Sequence, residues 1–375
     1  MSYFPPGSTV GIVGGGQLGR MSAMAARELG YRVCVFDTAR DIPAAGVCDE
    51  LHVGEFTDLI AIEAFAAACD VVTFEFETIP FATLQAIEAR LPVRPSPAVL
   101  RTTRHRILEK DFLTRAGATV ARYAGFNSAA QLTALLDDFG QGIAKTCELG
   151  YDGKGQFRVQ EGEPLPGGLL EMLKNGTEFV LEAVVDFRCE ISVIVARNDA
   201  GETAVYQPFE NEHRDHILDV THWPARVSPD TAAAARGIAL RIVEALDLVG
   251  LLCVELFVTP AGDVIVNELA PRPHNSGHIT QDASVTSQFE QHIRAVVGLA
   301  PGSTAIQRPG AMANLLGDLW ANGPPDFAGI MREEPELKLH LYGKKHARAG
   351  RKMGHLNLCG DNTAERLTQL RDRLR

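Results

Sequence analysis

The stretch VELFVTPAGDVIVNELAPRPHNSGH, Val254 to His278, decides the fold. Two apolar runs flank TPAGD, where Pro260 and Gly262 punctuate a turn, so the segment reads as a β-hairpin. Each arm carries one acid among apolar neighbours, Glu255 in VEL and Glu268 in NEL, so the two can converge from adjacent strands. Paired carboxylates without Cys or His partners suit a hard Mg²⁺ ion shared with nucleotide phosphates and water, and Asn267 can join them. The plain alternative is a pair of acids on a solvated strand face, but VEL and NEL bury badly without a cation.

His274 and His278, just beyond, have the i, i+4 spacing of a zinc motif. Pro273 and Gly277 argue against the continuous helix that motif needs, and no glutamate follows the first histidine, so zinc is rejected. A loop bearing Arg272, His274, Asn275 and Ser276 beside a metal-binding strand fits substrate recognition better.

Working back along the chain, strands are expected at GIAKT (142–146), FRVQ (157–160), EFVLEAVV (178–185) and CEISVIVAR (189–197). Helices are expected over about 96–116 and 230–246, which together make an α+β unit with antiparallel sheet. Between the first two strands lies GYDGKGQ, Gly150 to Gln156. Gly150, Gly153 and Gly155 let its backbone approach phosphates closely, and Lys154 adds charge, so the loop resembles a lid over a nucleotide. An ordinary glycine-rich hairpin is the bland alternative, and no Walker A sequence is present. Lys145 shifts the balance, because a lysine in an apolar strand is costly unless it meets an anion. Downstream, Glu182 can accept from an adenine amino group, the backbone of Ala183, Val184 and Val185 can read the adenine edge, and Glu190 can hold ribose hydroxyls. Each glutamate is otherwise a solvated strand residue.

At the N-terminus, GIVGGGQLGR (11–20) satisfies G-x-G-x-x-G through Gly14, Gly16 and Gly19, and YRVCVFD ends on an acid at Asp37. With DVVTFEFE (70–77), this is a βαβ pattern with a parallel sheet, and it permits an NAD-dependent oxidoreductase. LPVRPSP (91–97) closes the unit. After about Ala300, PGSTAIQRPG reads as a connector to a small module containing YGKKHARAGRKMGH, 342–355. There Lys344, Lys345, Arg348, Arg351 and Lys352 form either a phosphate site or a solvated basic turn.

A chain of 375 residues with 46% apolar and 22% charged residues is long enough for two or three domains and ordinary for a globular protein. Its net charge of -11 disfavours nonspecific binding to nucleic acid or anionic membrane. No apolar run approaches a membrane span, and a cytoplasmic location is expected. The seven cysteines are scattered with no CxxC pair, giving neither a disulfide framework nor a zinc site. Cys34 and Cys253 read as buried, inert thiols.

Taken in order, GGGQLGRM, TFEFE, GYDGKGQ, NELAPRPHNSGH and AGRKMGH resemble the 5-(carboxyamino)imidazole ribonucleotide synthase family of ATP-grasp enzymes from about residue 9 to 358. The resemblance implies a Rossmann-like domain at 1–97, a two-lobed ATP-grasp domain at 98–300 and a small C-terminal domain at 301–375. It implies ATP on Arg106, Lys145, the 150–156 loop with Gln156, Glu182 to Val185, Glu190, His213, Asn267 and Glu268, with Mg²⁺ on Glu255 and Glu268. Aminoimidazole ribonucleotide would meet Gln17, Leu18 and Glu75 near the first glycine loop, then Tyr151, Asp152, Lys154, Arg272, His274, Asn275 and Ser276, its phosphate held by Lys344, Arg351 and Lys352. Asp152, with Tyr151, is the implied proton-transfer group. The implied reaction carboxylates the ribonucleotide with ATP and bicarbonate through carboxyphosphate, in purine biosynthesis, by a homodimer whose product passes to a mutase. Three positions depart from the family pattern: Leu149 and His216 replace glycines, and Ala349 replaces a proline. The rival readings are another ATP-grasp ligase such as formate-dependent glycinamide ribonucleotide transformylase, which should lack GRKMGH, the NAD enzyme already named, and a non-catalytic nucleotide sensor.

Overall fold

A computed structural model describes residues 3–148 and 155–374. The first glycine loop follows strand β1 (Thr9–Val13), which pairs in parallel with β2 (Arg32–Asp37) and β4 (Val71–Phe74), while β3 (Glu50–Val53) extends β2 in parallel at the edge. Helix Gln17–Glu28 begins where the glycines end, because Gly14 takes a positive φ of 99° that side chains resist. A Cβ on Gly19 would lie 2.4 Å from the Gly14 carbonyl oxygen, so this glycine exists to let helix and strand pack closely. Gly19→Ala is therefore expected to destabilise the protein by about 1–3 kcal/mol through overpacking, read as a lowered denaturation midpoint; an unchanged midpoint would contradict the packing role.

The central unit is built on two antiparallel sheets. Strands β5 (Tyr123–Phe126), β6 (Gln141–Thr146), β7 (Gln156–Gln160) and β8 (Phe179–Glu182) form the smaller, in the order β5-β8-β6-β7. The larger, nine-stranded among the described residues, contains β9 (Cys189–Arg197), β10 (Thr203–Val205), β11 (Phe209–Arg214), β12 (Ile217–Trp223), β13 (Gly250–Val258), β14 (Val264–Ala270), β15 (Gly310–Leu316), β16 (Lys338–Leu341) and β17 (Lys352–Cys359). Its path runs β14-β13-β9-β11-β12-β15-β17-β16, with β10 paired to β9. Strands β15 to β17, in the stretch expected to form a small C-terminal module, thus continue the central sheet. β12 would otherwise present an unpaired edge, and β15 covers it from Val220↔Ala313 to Trp223↔Gly310.

Two elements differ from the sequence expectation. The helix expected over 96–116 is two helices, Pro97–Thr103 and Arg106–Arg115, because His105 is extended and the Arg106 N–H donates to the Cys147 carbonyl at 2.9 Å. The strand expected to reach Val185 ends at Glu182, and the Ala183 N–H turns to the Arg122 carbonyl.

Helix Pro229–Ala245 buries Ala235, Ala239, Ile242 and Val243 against Val193, Val195, Leu252 and Val254 of β9 and β13. Helix Gln288–Val297 buries Phe289, Ile293 and Val296 in the core shared with helix Gln17–Glu28, joining the first unit to the rest. It also carries His292, whose Nε2 pairs with Thr73 Oγ1 at 2.9 Å and whose pKa burial lowers to about 3. A neutral histidine in the fold that protonates when unfolded makes stability fall as pH drops below the unfolded value near 6.5. His292→Gln keeps a partner for Thr73 and removes that dependence. The stability advantage of wild type over this variant should shrink by about 2 kcal/mol between about pH 7.5 and about pH 5. Denaturant unfolding of both proteins measures it, and a gap independent of pH would contradict a neutral His292.

No helix among the described residues is long and apolar enough to cross a membrane.

Candidate active site

The glycine fingerprint does not hold a dinucleotide. Glu75, one residue beyond β4, accepts from the Gly16 N–H and, at 3.1 Å, from the Leu18 N–H, so the chain's own carboxylate occupies the helix N-terminus where a pyrophosphate would bind. Asp37, the expected ribose ligand, instead accepts the Gly15 N–H at 2.7 Å. Burial raises the Glu75 pKa to about 7, although the N–H groups of Gly16, Leu18 and Gly19 oppose the shift. A Cβ on Gly16 would lie 2.3 Å from Glu75 Oε1, so a larger residue there would displace that carboxylate.

Glu75 borders a cleft of about 790 Å³ that runs between the two central sheets. β13 and β14 place Glu255 and Glu268 directly opposite each other in the ladder, which fulfils the convergence read from the hairpin. Both acids are paired, although Glu268 sits on the edge strand β14. Glu255 Oε1 lies 2.9 Å from His274 Nε2, and Glu268 Oε2 accepts from Arg106 Nη1 at 2.9 Å. Burial opposes ionisation of Glu268, but Arg106 and Lys145 hold its carboxyl well below the usual range. For His274 burial disfavours the charge, yet Cys253 and Glu255 push its pKa up to about 10. The Asn267 side-chain oxygen is buried without a partner, so the hard-oxygen donor set of Glu255, Glu268 and Asn267 fits a divalent cation brought in with a nucleotide.

One wall belongs to the small sheet. Lys145 Nζ donates to Glu182 Oε2 at 2.9 Å, and Lys110 Nζ lies 3.2 Å from the other oxygen. Burial would raise the Glu182 pKa, but the two lysines bring it below the ordinary value. Ala183, Val184 and Val185 continue this wall outside the strand ladder. The facing apolar surface is Phe257 stacked on Phe187, with centroids 4.7 Å apart. Glu190 and His213 complete this end, paired at 3.2 Å across neighbouring strands. Burial works against the charge of His213, but Glu190 raises its pKa.

At the other end, Arg272 Nε lies 2.8 Å from Glu77 Oε1. Asn275 lines the cleft with both side-chain polar atoms buried and unpartnered. Ser276 sits beneath the lining, fully buried, and its Oγ bonds His274 Nδ1 at 2.8 Å and Ser192 Oγ at 2.7 Å. Asn211 then links Ser192 to Thr221. This buried chain fixes the His274 ring. Lys352 lines the cleft, and Lys344 donates to the Lys352 carbonyl at 2.7 Å. Burial, with Arg351 and Lys352 nearby, lowers the Lys344 pKa to about 8 while Glu75 opposes the shift. Arg351 itself donates to the His346 carbonyl at 2.8 Å.

Gln17, Leu18 and Gln156 also line the cleft, and Gly155, next to Gln156 in the chain, takes a positive φ of 72°. Gly150, Tyr151, Asp152, Gly153 and Lys154 lie outside the described residues, as does Leu149. His216 adopts φ 64°, a left-handed conformation that explains why the family pattern has glycine there. His278 is not at the site; it packs against His355, ring centroids 4.8 Å apart. Cys147 lines the cleft, and burial together with Glu178 pushes its thiol up to about 12, which leaves it unreactive. Sequence reasoning passed over Glu77, Glu109, Lys110 and Phe257. For Glu109 and Lys110 the available signal was two charges three and four residues after Arg106, on the same helical face.

Three family descriptions cover most of the chain: the ribonucleotide synthetase preATP-grasp domain over residues 8–104, the ATP-grasp domain over 111–289, and the phosphoribosylaminoimidazole carboxylase C-terminal domain over 310–369. The chain is 41% identical over 356 residues to the N5-carboxyaminoimidazole ribonucleotide synthase of Bacillus subtilis, covering 94% of this chain and 91% of that protein. A solved N5-carboxyaminoimidazole ribonucleotide synthetase in complex with ADP superposes with a TM-score of 0.92 at 40% identity, covering 100% of this chain and 98% of the other. The Aspergillus clavatus N5-carboxyaminoimidazole synthase in complex with ADP and 5-aminoimidazole ribonucleotide gives 0.88 at 31% identity, with 98% and 99% covered. The C-terminal match, on the part of the chain that carries GRKMGH, separates this protein from the transformylase reading. By fold, site and these relationships, the chain belongs to the N5-carboxyaminoimidazole ribonucleotide synthase family of ATP-grasp enzymes.

Proposed function

We propose that this protein carboxylates the amine of 5-aminoimidazole ribonucleotide at the expense of ATP and bicarbonate, a step of purine biosynthesis. One observation carries the reading: a single cleft joins the in-register carboxylates Glu255 and Glu268, with Arg106 and Lys145 beside them, to Glu75 and the basic Lys352 end. ATP enters along Ala183 to Val185 with its base against Phe257, and Glu190 and His213 flank the ribose. Arg106 and Lys145 neutralise the phosphates, while Glu255, Glu268 and Asn267 would hold Mg²⁺. When bound, that ion offsets charge on the transferring phosphoryl group.

The ribonucleotide takes the opposite end, its phosphate on Lys344, Arg351 and Lys352, and its sugar near Gln17, Leu18 and Glu75. Arg272, His274 and Asn275 border the reacting amine, with Ser276 beneath them holding the His274 ring. A bicarbonate oxygen attacks the γ-phosphorus, ADP leaves with the electron pair of the broken bond, and carboxyphosphate forms. Its carboxyl carbon then separates from the bridging oxygen, giving CO₂ and inorganic phosphate. The amine attacks CO₂ and gives up a proton to Asp152, with Tyr151 and Lys154 on the same loop, leaving the carbamate. Exclusion of water protects both reactive species until they meet the amine.

The division at residues 97 and 300, cytoplasmic location, transfer of product to a mutase and homodimer formation remain parts of this proposal. Exposed Leu59 and Ile60, on the helix that follows edge strand β3, support an apolar contact face on the first unit. The carboxyphosphate step is tested by supplying bicarbonate labelled with heavy oxygen. Label is expected in the inorganic phosphate released, and phosphate without label would overturn the step.

A further inference from the structure

Glu182 holds two lysines, one on each carboxylate oxygen, and the two are differently placed. Lys145 lies at the end of β6 and lines the cleft, where a phosphate can reach it. Lys110 is fully buried on helix Arg106–Arg115, with its Nζ 3.2 Å from Glu182 Oε1 and 3.5 Å from the Asn267 carbonyl oxygen. That helix is anchored beside Lys110, where Glu109 accepts the Leu269 N–H at 2.7 Å, a bond that neither the phosphates nor the metal would claim. Lys110 therefore keeps its place whether or not the cleft is filled.

We propose that Lys110 is a positioning residue for the nucleotide: a permanent counter-charge for Glu182 that lets Lys145 pass from Glu182 to the phosphates. Without it, moving Lys145 would strand an ionised carboxylate in a buried site, a state far costlier than the paired one. With it, Glu182 stays ionised on one oxygen and presents the other to the adenine amino group. The inference rests on the reading of this cleft as the ATP site and explains how one carboxylate serves both a lysine and a base there.

The test is a double-substitution cycle on the full-length protein, using ADP binding by calorimetry, KM for ATP and KM for the ribonucleotide. Lys110→Met is expected to weaken ADP binding and raise KM for ATP by at least about tenfold, with KM for the ribonucleotide changed less than about twofold. Adding Glu182→Gln should recover part of that loss, because no charge is then left unpaired. Lys110→Arg, which keeps the charge, should bind ADP more tightly than Lys110→Met. A purely structural lysine would disturb both substrates and would not be rescued by Glu182→Gln. Wild-type ADP affinity in Lys110→Met, or a double variant that binds no better than Lys110→Met, would overturn the proposal. Should Lys110→Met fail to fold, the double variant is expected to fold and bind ADP, and its failure to do so overturns the proposal equally. Wild-type protein that binds no ADP would instead remove the nucleotide reading beneath it.

Discussion

Glu268→Gln is expected to lower kcat by at least about 100-fold while the protein remains folded. The substitution preserves shape and removes one negative charge from a ladder position where Glu255 stands directly opposite. Two carboxylates there match the charge of one divalent cation; a single carboxylate leaves Arg106, now without its ionic partner, competing with the metal for the nucleotide phosphates. The loss should therefore be specific to metal. In wild type, Mg²⁺ should tighten ADP binding; in Glu268→Gln the same titration should have little effect. Undiminished turnover, or an unchanged Mg²⁺ effect on ADP, would remove Glu268 from the metal site.

Asp152→Asn should separate nucleotide binding from chemistry. The amide is a close isostere and leaves Arg106, Lys145 and Glu190 untouched, so ADP affinity should stay within about threefold of wild type. It cannot take the proton that the attacking amine must lose, and carbamate formation should fall by about 10²- to 10⁴-fold. Product is followed by its carboxylate and ADP by a coupled assay. Unchanged carbamate formation would defeat the assignment.

The hairpin from Leu251 to Leu269 was legible in the sequence because pattern and chemistry coincide there: two apolar runs, a Pro–Gly turn and one acid per arm specify both the fold and the meeting of the two carboxylates. The βαβ start was legible for the same reason, yet its ligand was not. Glu75 sits 59 residues from Gly16 in the chain, and only folding brings its carboxylate to the helix N-terminus. The break at His105 left no mark either, since neither proline nor glycine stands there and a tertiary bond from Arg106 to Cys147 makes it. The Pro- and Gly-rich stretch before Gly310 reads as a connector in the sequence, but it could not reveal that β15 joins the edge of β12. Lys110 looked like any surface lysine on a helix, and its burial follows from Glu182, a partner far along the chain.

The central claim is tested most directly by ADP release with Mg²⁺-ATP and bicarbonate, in the presence and absence of 5-aminoimidazole ribonucleotide. Strong stimulation by the ribonucleotide, matched by formation of the carbamate, is the predicted result. ADP release that ignores the ribonucleotide, or none under any condition, would contradict the account.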